Sequence, residues 1–79
     1  MEVEDLLEYL ARSLVDDPSA VSVESFEEDD GSVALELHVG EGDVGKVIGR
    51  NGRTVAALRT VIRACSVKEG HRVLVDVVD

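Results

Sequence analysis

A chain of 79 residues with 44% hydrophobic content holds one modest core, which excludes two lobes closing around a catalytic cleft. Tyr9 and Phe26 are the only aromatics and Cys65 the only cysteine, which excludes an aromatic cage, a base-stacking sheet platform, an internal disulfide and a cysteine zinc site. The net charge of −9 argues against a polyanionic partner, but it is unevenly spread: residues 1–43 carry −13, whereas residues 44–72 carry seven bases against the single acid Glu69, or +6.

Val3, Leu6, Leu7, Leu10, Ala11 and Leu14 recur at spacings of three and four, which predicts a first helix with one apolar stripe. Acids crowd its first turn, where the helix dipole favours them. Asp16-Asp17-Pro18 ends it, because proline offers no N–H and restricts the residue before it. Ala20 to Phe26 reads as an imperfectly alternating strand, and Glu27 to Ser32 as a solvated turn with Asp30-Gly31 as its hairpin signal. From Ser32 to Val39 the alternation is clean. Val33, Leu35, Leu37 and Val39 face one way, and Ala34, Glu36 and His38 face the wet side.

Gly40-Glu41-Gly42-Asp43 breaks the chain, and Asp43 is placed to cap a short helix from Val44 to Ile48. A longer helix is expected from about Arg53 to Val67. Its buried stripe would be Val55, Leu58, Val61, Ile62 and Cys65, with Arg53 and Arg63 opposite and Arg59 on the flank. Glu69-Gly70 ends it with a left-handed glycine cap. Val73 to Val78 is the last strand, with Val73, Val75 and Val77 on one face. The order α-β-β-α-α-β implies a single α+β domain, with helices packed on one face of a three-stranded mixed sheet. With no apolar run near 18 residues and an acidic first segment, neither a membrane span nor a secretory signal is expected, and the cytoplasm is the default location.

The chemistry concentrates in Gly49-Arg50-Asn51-Gly52, a four-residue loop between two helices with glycine at both ends. Glycine takes positive φ without strain and lets another backbone approach. The helix that follows would present free N–H groups and its positive dipole end at the loop, a sequence-blind phosphate site. Arg50 would be a phosphate partner, with Lys46 and Arg53 beside it, and Asn51 tolerates left-handed geometry and can donate a hydrogen bond.

The run Val47-Ile48-Gly49-Arg50-Asn51-Gly52-Arg53-Thr54-Val55 resembles the signature of the KH domain, whose GXXG loop clamps the backbone of about four single-stranded nucleotides. The extra helix and strand before the core resemble the type II arrangement of that fold. Residues 1–31 would form the extension, and residues 32–79 the core with its GXXG loop at 49–52. The length, the Leu14-to-Pro18 helix end, the Gly45-Lys46-Val47-Ile48-Gly49-Arg50 run and the closing Val-Asp pair resemble the small stand-alone bacterial KH proteins of the KhpA family. That resemblance implies a non-enzymatic, single-stranded RNA-binding protein, a chaperone or post-transcriptional regulator. It implies pairing with itself or with a larger KH protein of the Jag type. It also makes Lys46, Ile48, Gly49, Arg50, Asn51, Gly52 and Arg53 the candidate nucleic-acid-binding residues. Bases would turn onto an aliphatic floor of Val44, Val47, Ile48, Val55 and Leu58, beside the edge of the Ser32–Val39 strand.

Other readings are weaker. Gly40-Glu41-Gly42-Asp43-Val44-Gly45 is a literal GxGxxG. However, Glu41 and Asp43 would repel a pyrophosphate, and Thr60 stands where the ribose-binding acid belongs. His38 and His71 have no ligand-spaced partner, so neither metal nor cofactor is expected, and Cys65 reads as a small core residue. No nucleophile–base pair accompanies the loop, which leaves an enzyme a poor reading. The alternative is a protein-interaction module with a KH fold and little RNA binding, favoured by the net charge and by Leu74 and Val78 as a dimer patch.

Overall fold

The computed structural model describes residues 2–67, 70 and 72–78. Helix α1 spans Val3–Leu14, strands β1 and β2 span Ser22–Glu27 and Val33–His38, helices α2 and α3 span Val44–Ile48 and Arg53–Val67, and strand β3 spans Val73–Val78. Short 3-10 turns at Pro18–Ala20, Glu41–Asp43 and Arg50–Gly52 join them. The expected order and fold class are the observed ones. Strand β1 starts two residues later than predicted, because Pro18 opens a 3-10 turn through Ala20.

β2 is the central strand. β1 pairs with it antiparallel, Ser22 opposite His38 and Glu27 opposite Val33, and β3 pairs with it parallel, Val33 beside Val73. This corrects one expectation. The backbone of β2 is engaged on both sides, so the strand edge available near the helices is that of β3. A β-strand pair linked through two helices forms a parallel ladder, and this seats the last strand outside the second.

The predicted alternation puts Leu35, Leu37, Val73 and Val75 on the inner sheet face, where they pack in one cluster with Val3, Leu7 and Ala11 of α1, Val47 of α2 and Ile62 of α3. The stripe of α3 is rotated from the prediction. Val55, Leu58, Ile62 and Ser66 are buried, whereas Val61 is 43% exposed and Cys65 is exposed. At about 100° per residue, Val55, Ile62 and Ser66 fall within about 40° of each other, while Cys65 and Val61 drift progressively outward. Ser66 satisfies its buried hydroxyl by donating to the Ile62 carbonyl one turn back, at 2.6 Å. Gly70 has the left-handed φ of +74° expected of a cap, while Glu69 lies outside the described residues.

Among the described residues, no helix covers the outer sheet face. Its rows are Ser22–His38–Val78, Glu24–Glu36–Asp76 and Phe26–Ala34–Leu74. His38 is therefore not isolated: its Nε2 lies 3.7 Å from a carboxylate oxygen of both Glu24 and Glu36. The sequence hides this neighbourhood, since Glu24 arrives through strand pairing. Among the described residues, no helix is long and apolar enough to cross a membrane.

Candidate nucleic-acid interface

The turn between α2 and α3 is one tight 3-10 step with three positive φ angles: Gly49 at +77°, Asn51 at +58° and Gly52 at +73°. Gly49 ends α2, its N–H bonding the Gly45 carbonyl at 2.9 Å. The Gly52 N–H returns to the Gly49 carbonyl at 3.2 Å, and the Arg53 N–H to that of Arg50. The first amide of α3 is thus consumed inside the turn, contrary to the expectation that the helix start is open. Among the described residues, the N–H groups of Arg50 and Asn51 meet no protein acceptor. Both residues are exposed, at the tip of the turn.

Gly49 is packed closely against Thr54. A Cβ built on Gly49 would overlap the Thr54 hydroxyl and stand 2.8 Å from its backbone nitrogen. Thr54 was not singled out by the sequence, because nothing in its spacing announces so close an approach.

Asp43 departs from its expected role. Its side chain makes no cap bond to α2. It is buried, and its two carboxylate oxygens accept the backbone N–H groups of Asp16 and Asp17 at 3.2 and 3.0 Å. A carboxylate forked over two successive amides offsets its own desolvation. It ties the end of the α1 segment to the start of α2, and so fixes where the loop projects. The Asp16 carboxylate in turn lies 3.3 Å from Nζ of Lys46.

The structure brings Lys46, Arg50, Asn51 and Arg53 to the surface around the turn, with Ile48 and both loop glycines half-buried beneath them. Arg59 turns away from the loop. Its Nε donates to the Val75 carbonyl of β3 at 3.1 Å. Of the five residues expected to floor a base groove, Val47, Val55 and Leu58 are buried, which leaves Val44 and Ile48 partly open. A separate apolar hollow of about 270 Å³ lies between α1 and α3, where Thr54, Ala57, Leu58 and Val61 face Leu10 and Leu14.

The family model described as the KH domain of KhpA/KhpB matches residues 4–77. The chain belongs to the KhpA/KhpB family of KH domains. It is 47% identical to the RNA-binding protein KhpA of Clostridium acetobutylicum, covering 96% of this chain and all of that one. It is 49% identical to the protein of the same name in Streptomyces coelicolor, covering 98% and 92%. Aquifex aeolicus Era shares the fold at a TM-score of 0.61 and 16% identity, covering 95% of this chain and 29% of that one. Residues 49–52 lie between α2 and α3.

Proposed function

We propose that the chain binds single-stranded RNA, with the sugar-phosphate backbone laid across residues 49–52. One observation carries this reading: among the described residues the N–H groups of Arg50 and Asn51 have no protein acceptor, and both residues are exposed on a turn flanked by Lys46 and Arg53. A phosphate accepts from such paired amides regardless of base identity. The names of the relatives, RNA-binding protein KhpA, support RNA as the polyanion. The bases turn onto Val44 and Ile48, towards the β3 edge. The acidic remainder of the chain confines RNA to this side.

A site of about three phosphate contacts is weak, with a log–log salt slope on the order of −2. Avidity then comes from a second KH domain, in a homodimer or with a larger protein of the Jag type. This suits a cytoplasmic RNA chaperone or post-transcriptional regulator with no catalytic step.

The test replaces Arg50 and Asn51 with aspartate and measures binding to a fluorescent single-stranded RNA at low salt. Affinity should fall at least about tenfold while the circular dichroism spectrum and thermal midpoint stay as in the parent. Full-strength binding by the folded variant would remove the loop as the site.

A second reading, a dimerisation module with little RNA affinity, is favoured by the row of Phe26, Ala34 and Leu74 on the uncovered sheet face, where Phe26 is 44% and Leu74 37% exposed. It expects a dimeric mass in solution together with no RNA binding and no retention on heparin.

A further inference from the structure

The middle row of the outer sheet face places three acids side by side: Glu24 pairs with Glu36 across β1 and β2, and Glu36 with Asp76 across β2 and β3. Like charges directly opposite on neighbouring strands repel. Among the described residues, no lysine or arginine pairs with any of the three. What faces them is His38, two residues along β2 on the same face.

The imidazole is positioned but unsatisfied. Its Nε2 is 3.7 Å from the Glu24 carboxylate and 3.7 Å from that of Glu36, beyond hydrogen-bond reach. The side chain as a whole is 32% exposed, yet this nitrogen is shielded from water and has no partner. One nitrogen and two carboxylate oxygens, from three residues on two paired strands, thus lie within 4.8 Å of one another. A divalent ion bonded tetrahedrally to each at about 2.0–2.2 Å needs its ligand atoms about 3.3–3.6 Å apart, closer by a few tenths of an ångström up to about 1.5 Å. The two glutamates supply that contraction through rotation of their long side chains, while β2 holds the imidazole.

We propose that Glu24, Glu36 and His38 form a binding site for a divalent transition-metal ion, with Zn2+ the best match to the donors. One imidazole and two carboxylates suit zinc, which accepts mixed nitrogen and oxygen ligands at four-coordination. Magnesium and calcium prefer more oxygens and no imidazole. Water supplies the fourth position. The ion would relieve the repulsion of the row, give Nε2 its partner and pin β1 to β2. The site lies on the face opposite the helices that carry residues 49–52, so it is independent of the RNA reading.

The experiment titrates the untagged full chain with Zn2+ by calorimetry, and with Co2+ by visible absorption. Saturation near one ion per chain is expected, with a raised thermal midpoint and a shift of the His38 Nε2 nitrogen resonance. H38A and E36Q should each weaken Zn2+ binding at least about tenfold. The loop variant R50D/N51D should bind Zn2+ as the parent does, which separates this site from the RNA site. A circular dichroism spectrum matching the parent shows that H38A is folded. Undiminished Zn2+ binding by H38A, a stationary Nε2 resonance, or equal displacement by millimolar Mg2+ would each overturn the assignment.

Discussion

Thr54 sits against Gly49 so closely that the glycine has no space for a side chain. Gly49 also has φ +77° and ψ 172°, a combination that only glycine adopts without strain, costing other residues about 1–3 kcal/mol. Gly52 has φ +73° but nothing within 4 Å of a built Cβ. The two glycines of the loop therefore respond differently. G52A is expected to lose about 1 kcal/mol, the left-handed penalty alone. G49A carries the overlap as well and should lose clearly more. Urea denaturation of both variants checks this. Equal losses would mean that Thr54 yields and the close approach is immaterial.

The Asp43 carboxylate predicts an unusual ranking of substitutions. At a helix N-cap, asparagine replaces aspartate almost without loss. Here both oxygens accept N–H groups, from Asp16 and Asp17. An asparagine would aim its own NH2 at one of those donors. D43N should therefore destabilise nearly as much as D43A, by about 2–3 kcal/mol, the range for hydrogen bonds to a charged group and for stranded buried donors. Chemical denaturation decides it, and a D43N protein as stable as the parent would restore the capping role.

Asp16 is expected to restrain RNA binding. Its carboxylate holds Nζ of Lys46 at 3.3 Å, and both side chains are largely exposed, so the pair adds little to stability. Under the proposed function, the same ammonium is a phosphate partner. D16N should leave the thermal midpoint unchanged and tighten single-stranded RNA binding a few-fold at low salt. K46A should instead weaken it and lower the magnitude of the salt slope by about 0.7. An unchanged affinity in both variants would place Lys46 outside the RNA path.

The contrast between these residues shows what sequence alone carries. The stripe of α1, the alternation of β2 and β3, and the glycine-framed turn are local periodicities, and each is present in the fold where the spacing puts it, except that Leu14 at the end of the α1 stripe is 39% exposed. The turn could be read because glycine at 49 and 52 is a backbone requirement. What escaped depends on partners distant along the chain. Asp43 looked like a cap because the amide donors it accepts from lie 26 and 27 residues earlier. Cys65 and Ser66 are neighbours on α3, and only the direction of the sheet and α1 decides that the serine goes inward. The central place of β2 follows from the pairing of β3, and the His38–Glu24 proximity from the β1 register. Helical phase and strand order are properties of the packed layers, to which a single element's pattern is blind.

The hairpin between β1 and β2 predicts a local acid sensitivity. Asp30 accepts the hydroxyl of Ser32 at 2.6 Å and its backbone N–H at 2.9 Å, while Gly31 takes φ +87° to close the turn. The Ser32 hydroxyl first, and then its amide, holds the Asp30 carboxyl below its ordinary pKa. A carboxylate depressed in the folded state supports the fold above its unfolded pKa and loses that contribution as pH falls through the folded value. The turn is thus fully supported at neutral pH and weakens below about pH 4. In S32A the hydroxyl is gone and the amide remains. The Asp30 carboxyl carbon, followed by NMR, should then titrate at a higher pH than in the parent. Identical midpoints in the two proteins would show that the hydroxyl does not hold the charge.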